Sequence, residues 1–255
     1  MAGVLMAAYG ALTYVFFFLT FLYAIAFVDD LPLVPKTLDS GPVSPLLPTL
    51  IVDAALLGLF AVQHSVMARP AFKRWWTKIV APPIERTTYV LFASAALVVM
   101  YVFWRPLPHV VWSVAPGPIA AGLLALSLVG WGVVLISTFL ISHFELFGLD
   151  QVWRRMRGLA PAAHEFRTPA FYRLVRHPIY AGFIIAFWAT PRMTLGHLFF
   201  AVGTLGYILI AIQLEEHDLI GVFGERYRAY KTQVGMLLPK LGGGRAGVAT
   251  QTKAP

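Results

Sequence analysis

Six apolar runs constrain this chain more than anything else in it. They fall at residues 8–28, 49–67, 84–104, 119–142, 178–190 and 194–214. A helix rises about 1.5 Å per residue, so about 20 residues are needed to cross a hydrocarbon core. Five of the runs meet that length. The fifth in order, 178–190, is short, and it is expected to tilt or to extend by a turn before Pro191 ends it. Only 13% of the 255 residues are charged and 58% are hydrophobic, whereas a soluble domain carries roughly a quarter charged residues. The expected fold is an all-α integral membrane bundle of five to six transmembrane helices, with amphipathic helices on its cytoplasmic side. Residues 1–241 form a single membrane-embedded domain, and the glycine-rich residues 242–255 are expected to be a disordered tail.

The charges that remain define an orientation. The net charge of +8 is basic enough to raise a nucleic-acid reading, but the basic residues sit in loops beside apolar runs rather than in one stripe. The connections after runs two, four and six hold nearly all of them. Those after runs one, three and five hold only Lys36, Arg105 and Arg192. The positive-inside rule then places both termini in the cytoplasm. The first run has no basic leader and is long enough to span, so it reads as a retained helix rather than a cleaved signal. Residues 69–86 alternate Arg69, Lys73, Arg74 and Lys78 with Phe72, Trp75 and Trp76, the pattern of a helix lying among headgroups. Residues 215–231 read as a second amphipathic helix. Lys78 and Lys231 read as interfacial anchors.

This topology brings polar residues from four helix ends to one depth: His64, His143, Glu145, His177, Glu215, Glu216 and His217. Ionisable side chains at such positions indicate function. In Arg176-His177-Pro178, proline suits the first position of a helix. The free N–H groups there, with Arg176, would suit a carboxylate or phosphate. Glu215-Glu216-His217 would suit a cation. The plainer alternatives are an Arg-His pair facing headgroups and a solvated helix end; an apolar hairpin between the clusters argues against both, because it brings them together. His64 and His143 each follow a long apolar run, where a hydrogen-bonded interfacial histidine is the plainer reading. His143-x-Glu145 invites a metal, but the chain has no HxxxH or HxxHH spacing, so none is assigned. With no cysteine, disulfides, thiolate metal sites and a cysteine nucleophile are excluded.

Arg176-His177-Pro178-x-Tyr180-x-Gly182, followed after the hairpin by Glu215-Glu216, Leu219, Phe223-Gly224, Tyr227 and Tyr230, resembles the C-terminal half of the isoprenylcysteine carboxyl methyltransferases and their bacterial relatives. Gln63-His64-Ser65-x-Met67-Ala68-Arg69-Pro70, Ile84-Glu85-Arg86 and Phe144-Glu145-Leu146-Phe147-Gly148-Leu149 look like the NnrU branch of that family, and within it Phe72-Lys73-Arg74-Trp75-Trp76 and the stretch at 143–151 look most like the methanethiol S-methyltransferases. The resemblance implies an integral membrane enzyme that uses S-adenosylmethionine, with its cofactor half at about 143–241. By that resemblance Arg176, His177, Pro178, Tyr180 and Gly182 hold the cofactor, Glu215 or Glu216 faces it, and Tyr227 and Tyr230 close its pocket. His64, His143, Arg69 and Glu145 are the catalytic candidates for making a thiolate. Gln63, Tyr89 and Trp188 are candidates for lining a pocket for a small thiol, methanethiol. The implied partners are that thiol and the bilayer, with no nucleic acid and no obligate protein partner. Three rivals compete: a family member acting on a prenylated cysteine or a lipid, an accessory protein without turnover, and a transporter. The transporter is disfavoured by the lack of an internal repeat.

Overall fold

The computed structural model describes residues 1–162 and 166–240. The expected tail at 242–255 lies outside them. Five helices are long and apolar enough to cross a membrane: α1 (Ala2–Val28), α2 (Leu46–Ala68), α4 (Pro82–Phe103), α5 (Pro118–Ile141) and α9 (Leu195–Phe223). Shorter helices lie between and after them: α3 (Pro70–Trp76), α6 (His143–Leu146), α7 (Leu149–Arg157), α8 (Pro178–Trp188) and α10 (Glu225–Gln233). The protein is an all-α integral membrane bundle. Prolines set many of its boundaries: α3, α4, α5 and α8 each begin at one, where the missing N–H costs nothing.

The short fifth run does not extend by a turn. The eleven residues of α8 give a helix about 16 Å long. Beyond Trp188 the chain becomes extended and forms β2 (Arg192–Thr194), which pairs antiparallel with β1 (Val110–Ser113). The three strand residues at about 3.3 Å each add about 10 Å, and the turn at 189–191 joins them to the helix. Helix, turn and strand together run alongside the roughly 30 Å of α9 between Leu195 and Glu216. Extended backbone at this depth needs its polar groups satisfied. Trp112 Nε1 donates to the Thr190 carbonyl at 3.2 Å and Val114 N to that of Pro191 at 2.8 Å. The stretch holding Val110 and Trp112 is therefore a strand within the connection from α4 to α5.

Two further boundaries differ from expectation. Glu215 does not open a new helix, because α9 continues for 29 residues to Phe223. The break comes at Gly224, whose φ of 54° is in the left-handed region. In the 69–86 segment only α3 is helical before α4 starts. Trp75 is exposed, while Trp76 packs inward against Met67, Tyr89 and Val90.

α5 and α8 pack with almost no space between their backbones. A Cβ on Gly130 would lie 2.7 Å from the Gly182 carbonyl oxygen, and one on Gly182 2.7 Å from that of Gly130. Small residues allow this approach. Gly122 and Gly132 of the same helix face open space. At the end of α1, Asp29 lies 2.6 Å from the Ser127 hydroxyl and accepts from Trp131 Nε1 at 3.1 Å. Ser127 also lies 2.9 Å from the Ala186 carbonyl oxygen. One hydroxyl proton cannot serve both oxygens, so a proton on Asp29 completes the set. Burial raises the Asp29 pKa to about 6.

Two outcomes follow. Gly182→Ala is expected to destabilise the protein by about 1–3 kcal/mol through overpacking, read as a lower thermal midpoint in detergent. Asp29 takes up a proton on folding between its ordinary pKa and about 6. Stability should fall as pH rises through that window and then level off. Asp29→Asn, which keeps a donor and an acceptor, should remove that fall when melts are compared from pH 4 to 7.

Candidate functional site

The start of α8 is fixed by the chain's return after α10. Val175 pairs with Gly235, Arg176 N donates to the Gly235 carbonyl at 2.8 Å, and His177 N to that of Met236 at 3.1 Å. Beneath this junction lies Glu216, its side chain only 3% exposed. Its Oε1 accepts from Arg176 Nε at 2.7 Å and faces His177 Nε2 at 3.1 Å, and its Oε2 meets Lys231 Nζ at 2.5 Å. A buried carboxylate is tolerable when its lone pairs are occupied in this way. Arg176 also donates to the carbonyls of Lys231, at 3.2 Å, and Val234. Arg176 is thus an internal clamp rather than a free anion hook, and Lys231 is turned inward rather than anchoring at the surface.

Consecutive helical residues point about 100° apart, and the pair Glu215-Glu216 is divided accordingly. The Glu215 side chain is 44% exposed. It accepts from the Tyr180 hydroxyl at 3.1 Å and stands 3.9 Å from His177 Nδ1. Its charge acts on Tyr89, Tyr180 and Tyr207, which places α4, α8 and α9 around one carboxylate. Tyr227 is buried and packs on Tyr230. The Tyr230 hydroxyl donates to the Tyr172 carbonyl, and burial raises its pKa to about 12. Burial likewise raises Tyr227. Both phenols stay neutral at physiological pH.

A second polar group spans α2 and α4. The Tyr89 hydroxyl lies 2.8 Å from Nε2 and 3.0 Å from Nδ1 of His64. Phe60 stacks on the same ring at 5.1 Å and meets Tyr207 edge-on at 6.1 Å. Ser65 donates to the Tyr207 hydroxyl at 3.4 Å. Arg69 pairs with Asp218 at 2.9 Å, tying α2 to α9. Arg86 lies 4.7 Å over the Tyr89 ring and donates to the Leu146 carbonyl at 2.7 Å. Gln63 donates to Met67 Sδ at 3.2 Å, while its Oε1, like Glu85 Oε1, is buried without a protein partner. Asp218 and Tyr207 escaped the sequence reading. Asp218 is one helical turn beyond Glu215, and Tyr207 a little over two turns before it.

Four residues singled out from sequence are placed elsewhere or occupied otherwise. His143 is 3% exposed, with Nε2 2.8 Å from the Tyr14 hydroxyl and Nδ1 2.7 Å from Thr138 Oγ1. It stacks on Phe139 at 3.9 Å, and burial lowers its pKa. Both nitrogens are committed to joining α1 to α5, so His143 is a structural residue. Glu145 lines a separate polar pocket of about 190 Å³ with Ser142, Arg154 and Arg167. Trp188 is ten residues, about 15 Å, along α8 from Pro178, and it packs against the apolar core. Gly182 faces Gly130, as the α5–α8 contact requires.

Comparison with known proteins follows the same lines. No family model and no solved structure matches the chain. It is 53% identical over 231 residues to the methanethiol S-methyltransferase of Mycobacterium tuberculosis, covering 91% of this chain and 94% of that one. With the methanethiol S-methyltransferase of Pseudomonas deceptionensis it shares 55% identity over 208 residues, 82% of this chain and 79% of the other. A more distant likeness, 30% over 175 residues, is to nurim of Xenopus laevis, covering 66% of this chain and 61% of that protein. At such identity, over nearly the whole length of both chains, the protein belongs to the methanethiol S-methyltransferase family.

Proposed function

We propose that the protein transfers a methyl group from S-adenosylmethionine to methanethiol, giving dimethyl sulfide, with its site at the cytoplasmic face of a bacterial inner membrane. The names of its relatives support the acceptor. The observation that carries the chemistry is the half-exposed Glu215 carboxylate, with no guanidinium or ammonium bonded to it among the described residues, set within electrostatic reach of Tyr89 beside His64. When bound, S-adenosylmethionine supplies an activated sulfonium methyl group.

The residues fit such a ligand. Glu215 offers a carboxylate to a cationic group, and the partnerless Gln63 Oε1 and Glu85 Oε1 offer acceptors to hydroxyl or amino groups. Glu216 holds the start of α8 and does not itself face the ligand. His64, steadied by Tyr89, accepts the thiol proton, and Arg69 and Arg86 favour the thiolate left behind. An alkyl thiol titrates above neutral pH, so a base at this position contributes at pH 7. Phe60 and Tyr207 wall the pocket with apolar surface suited to a small methylated sulfur.

Headspace gas chromatography tests the reaction. Membranes holding the protein, given S-adenosylmethionine and methanethiol, should release dimethyl sulfide above the empty-membrane control. No product with cofactor binding intact would move the search to another acceptor, and loss of both would favour a non-enzymatic accessory role. Glu215→Gln should weaken cofactor binding at least tenfold with an unchanged melt. Glu216→Gln should instead lower the melting temperature, because breaking a buried ion cluster costs about 3–5 kcal/mol. Equal effects on both readouts would overturn the division of the pair. His64→Gln should lower kcat by about 10²–10⁴ at pH 7. That loss should shrink as pH rises past the thiol pKa, where the substrate ionises unaided. A loss independent of pH would remove His64 from the role of base.

A further inference from the structure

An open groove of about 460 Å³ lies between α1 and the α6–α7 segment, and Glu215 is not among the residues that line it. Its walls are Ala7 and Ala11 of α1 with Phe144, Leu149, Trp153 and Met156. The acid at its edge, Asp150, is paired with Arg154 at 2.6 Å. A peptide laid here would find no free group for its backbone, and burying unpaired amides is unfavourable. A hydrocarbon chain makes no such demand. The mouth is basic. Arg157 lies 4.7 Å over the ring of the groove-lining Trp153, and Arg155 is exposed on the same helix. Neither is in an ion pair with a described residue.

The groove is built in rather than incidental. α7 rests tightly on α1, where a Cβ on Gly10 would come within 2.7 Å of Val152 Cγ2 and one on Gly3 within 3.1 Å of Met156 Cα. α1 is a membrane-crossing helix that begins at Ala2, so α7 crosses it at the depth of the headgroups. A basic helix with one apolar face at that depth matches anionic lipid.

We infer that this groove binds an anionic phospholipid, its acyl chain between α1 and α7 and its phosphate against Arg157, with Arg155 adding positive charge from the same helix. The full-length protein, reconstituted in nanodiscs of equal phosphatidylglycerol and phosphatidylcholine and then released for native mass spectrometry, is expected to retain phosphatidylglycerol at least fivefold more often. Arg155→Ala with Arg157→Ala should abolish that preference without shifting the melt. Ala11→Trp, which fills the groove, should remove the retained lipid altogether. If Ala11→Trp does not fold, the arginine pair decides alone. Equal retention of the two lipids by the unaltered protein, a preference that survives the double substitution, or a dimer in the same spectra that Ala11→Trp dissolves would each overturn the assignment.

Discussion

The architecture of the polar end depends on one buried carboxylate. Removing Glu216 from water is unfavourable by several kcal/mol, and only the convergence of Arg176, His177 and Lys231 offsets it. Those partners come from the segment entering α8 and from α10, while Glu216 itself is on α9. The cluster thus locks three segments that apolar packing alone would leave free to slide. Its geometry has a consequence for the neighbour. With Glu216 pointing into the protein, Glu215 must point about a quarter turn away, toward the opening and Tyr180.

The second constraint is the half-length of α8. A full helix between the level of Glu216 and the start of α9 would need about twenty residues, but a helix of eleven followed by an extended stretch makes the same crossing. The strand closes the far end of the bundle against β1, and the glycine contact with α5 holds the helix upright. His177 can therefore sit at a fixed height against α9 although its helix ends midway through the bundle.

Much of this was legible in the chain. Apolar length gave the five long helices, and prolines marked several of their starts. The motif at Arg176 and the acidic pair at Glu215-Glu216 were recognisable as partners because a hairpin joins them. What could not be read depends on contacts distant in sequence or on rotation about a helix axis. Nothing local tells that Glu216 is buried and Glu215 is not, since the two differ only by one step around α9. A hydrogen-bonded His143 was the plainer reading, but its partner could not be named because Tyr14 lies 129 residues away. The strand at Val110–Ser113 pairs with residues some eighty positions later, and its valines alone could not announce that.

The balance of charge around the pocket gives the last step. Glu216 is neutralised by Arg176 and Lys231, and Asp218 by Arg69. Glu215 has only a phenol within hydrogen-bonding distance, and His177 stands farther off. Of the three acids clustered on α9, it is the one left without a bonded guanidinium or ammonium group among the described residues. A half-exposed carboxylate with no paired cation attracts a cationic ligand. An anionic or neutral ligand gains no such attraction. The same carboxylate would also oppose a thiolate in the empty pocket, since like charges disfavour one another. On the proposed reading, the methyl donor therefore binds before the thiol gives up its proton, and the positive charge that binds the cofactor to Glu215 also makes the nucleophile accessible.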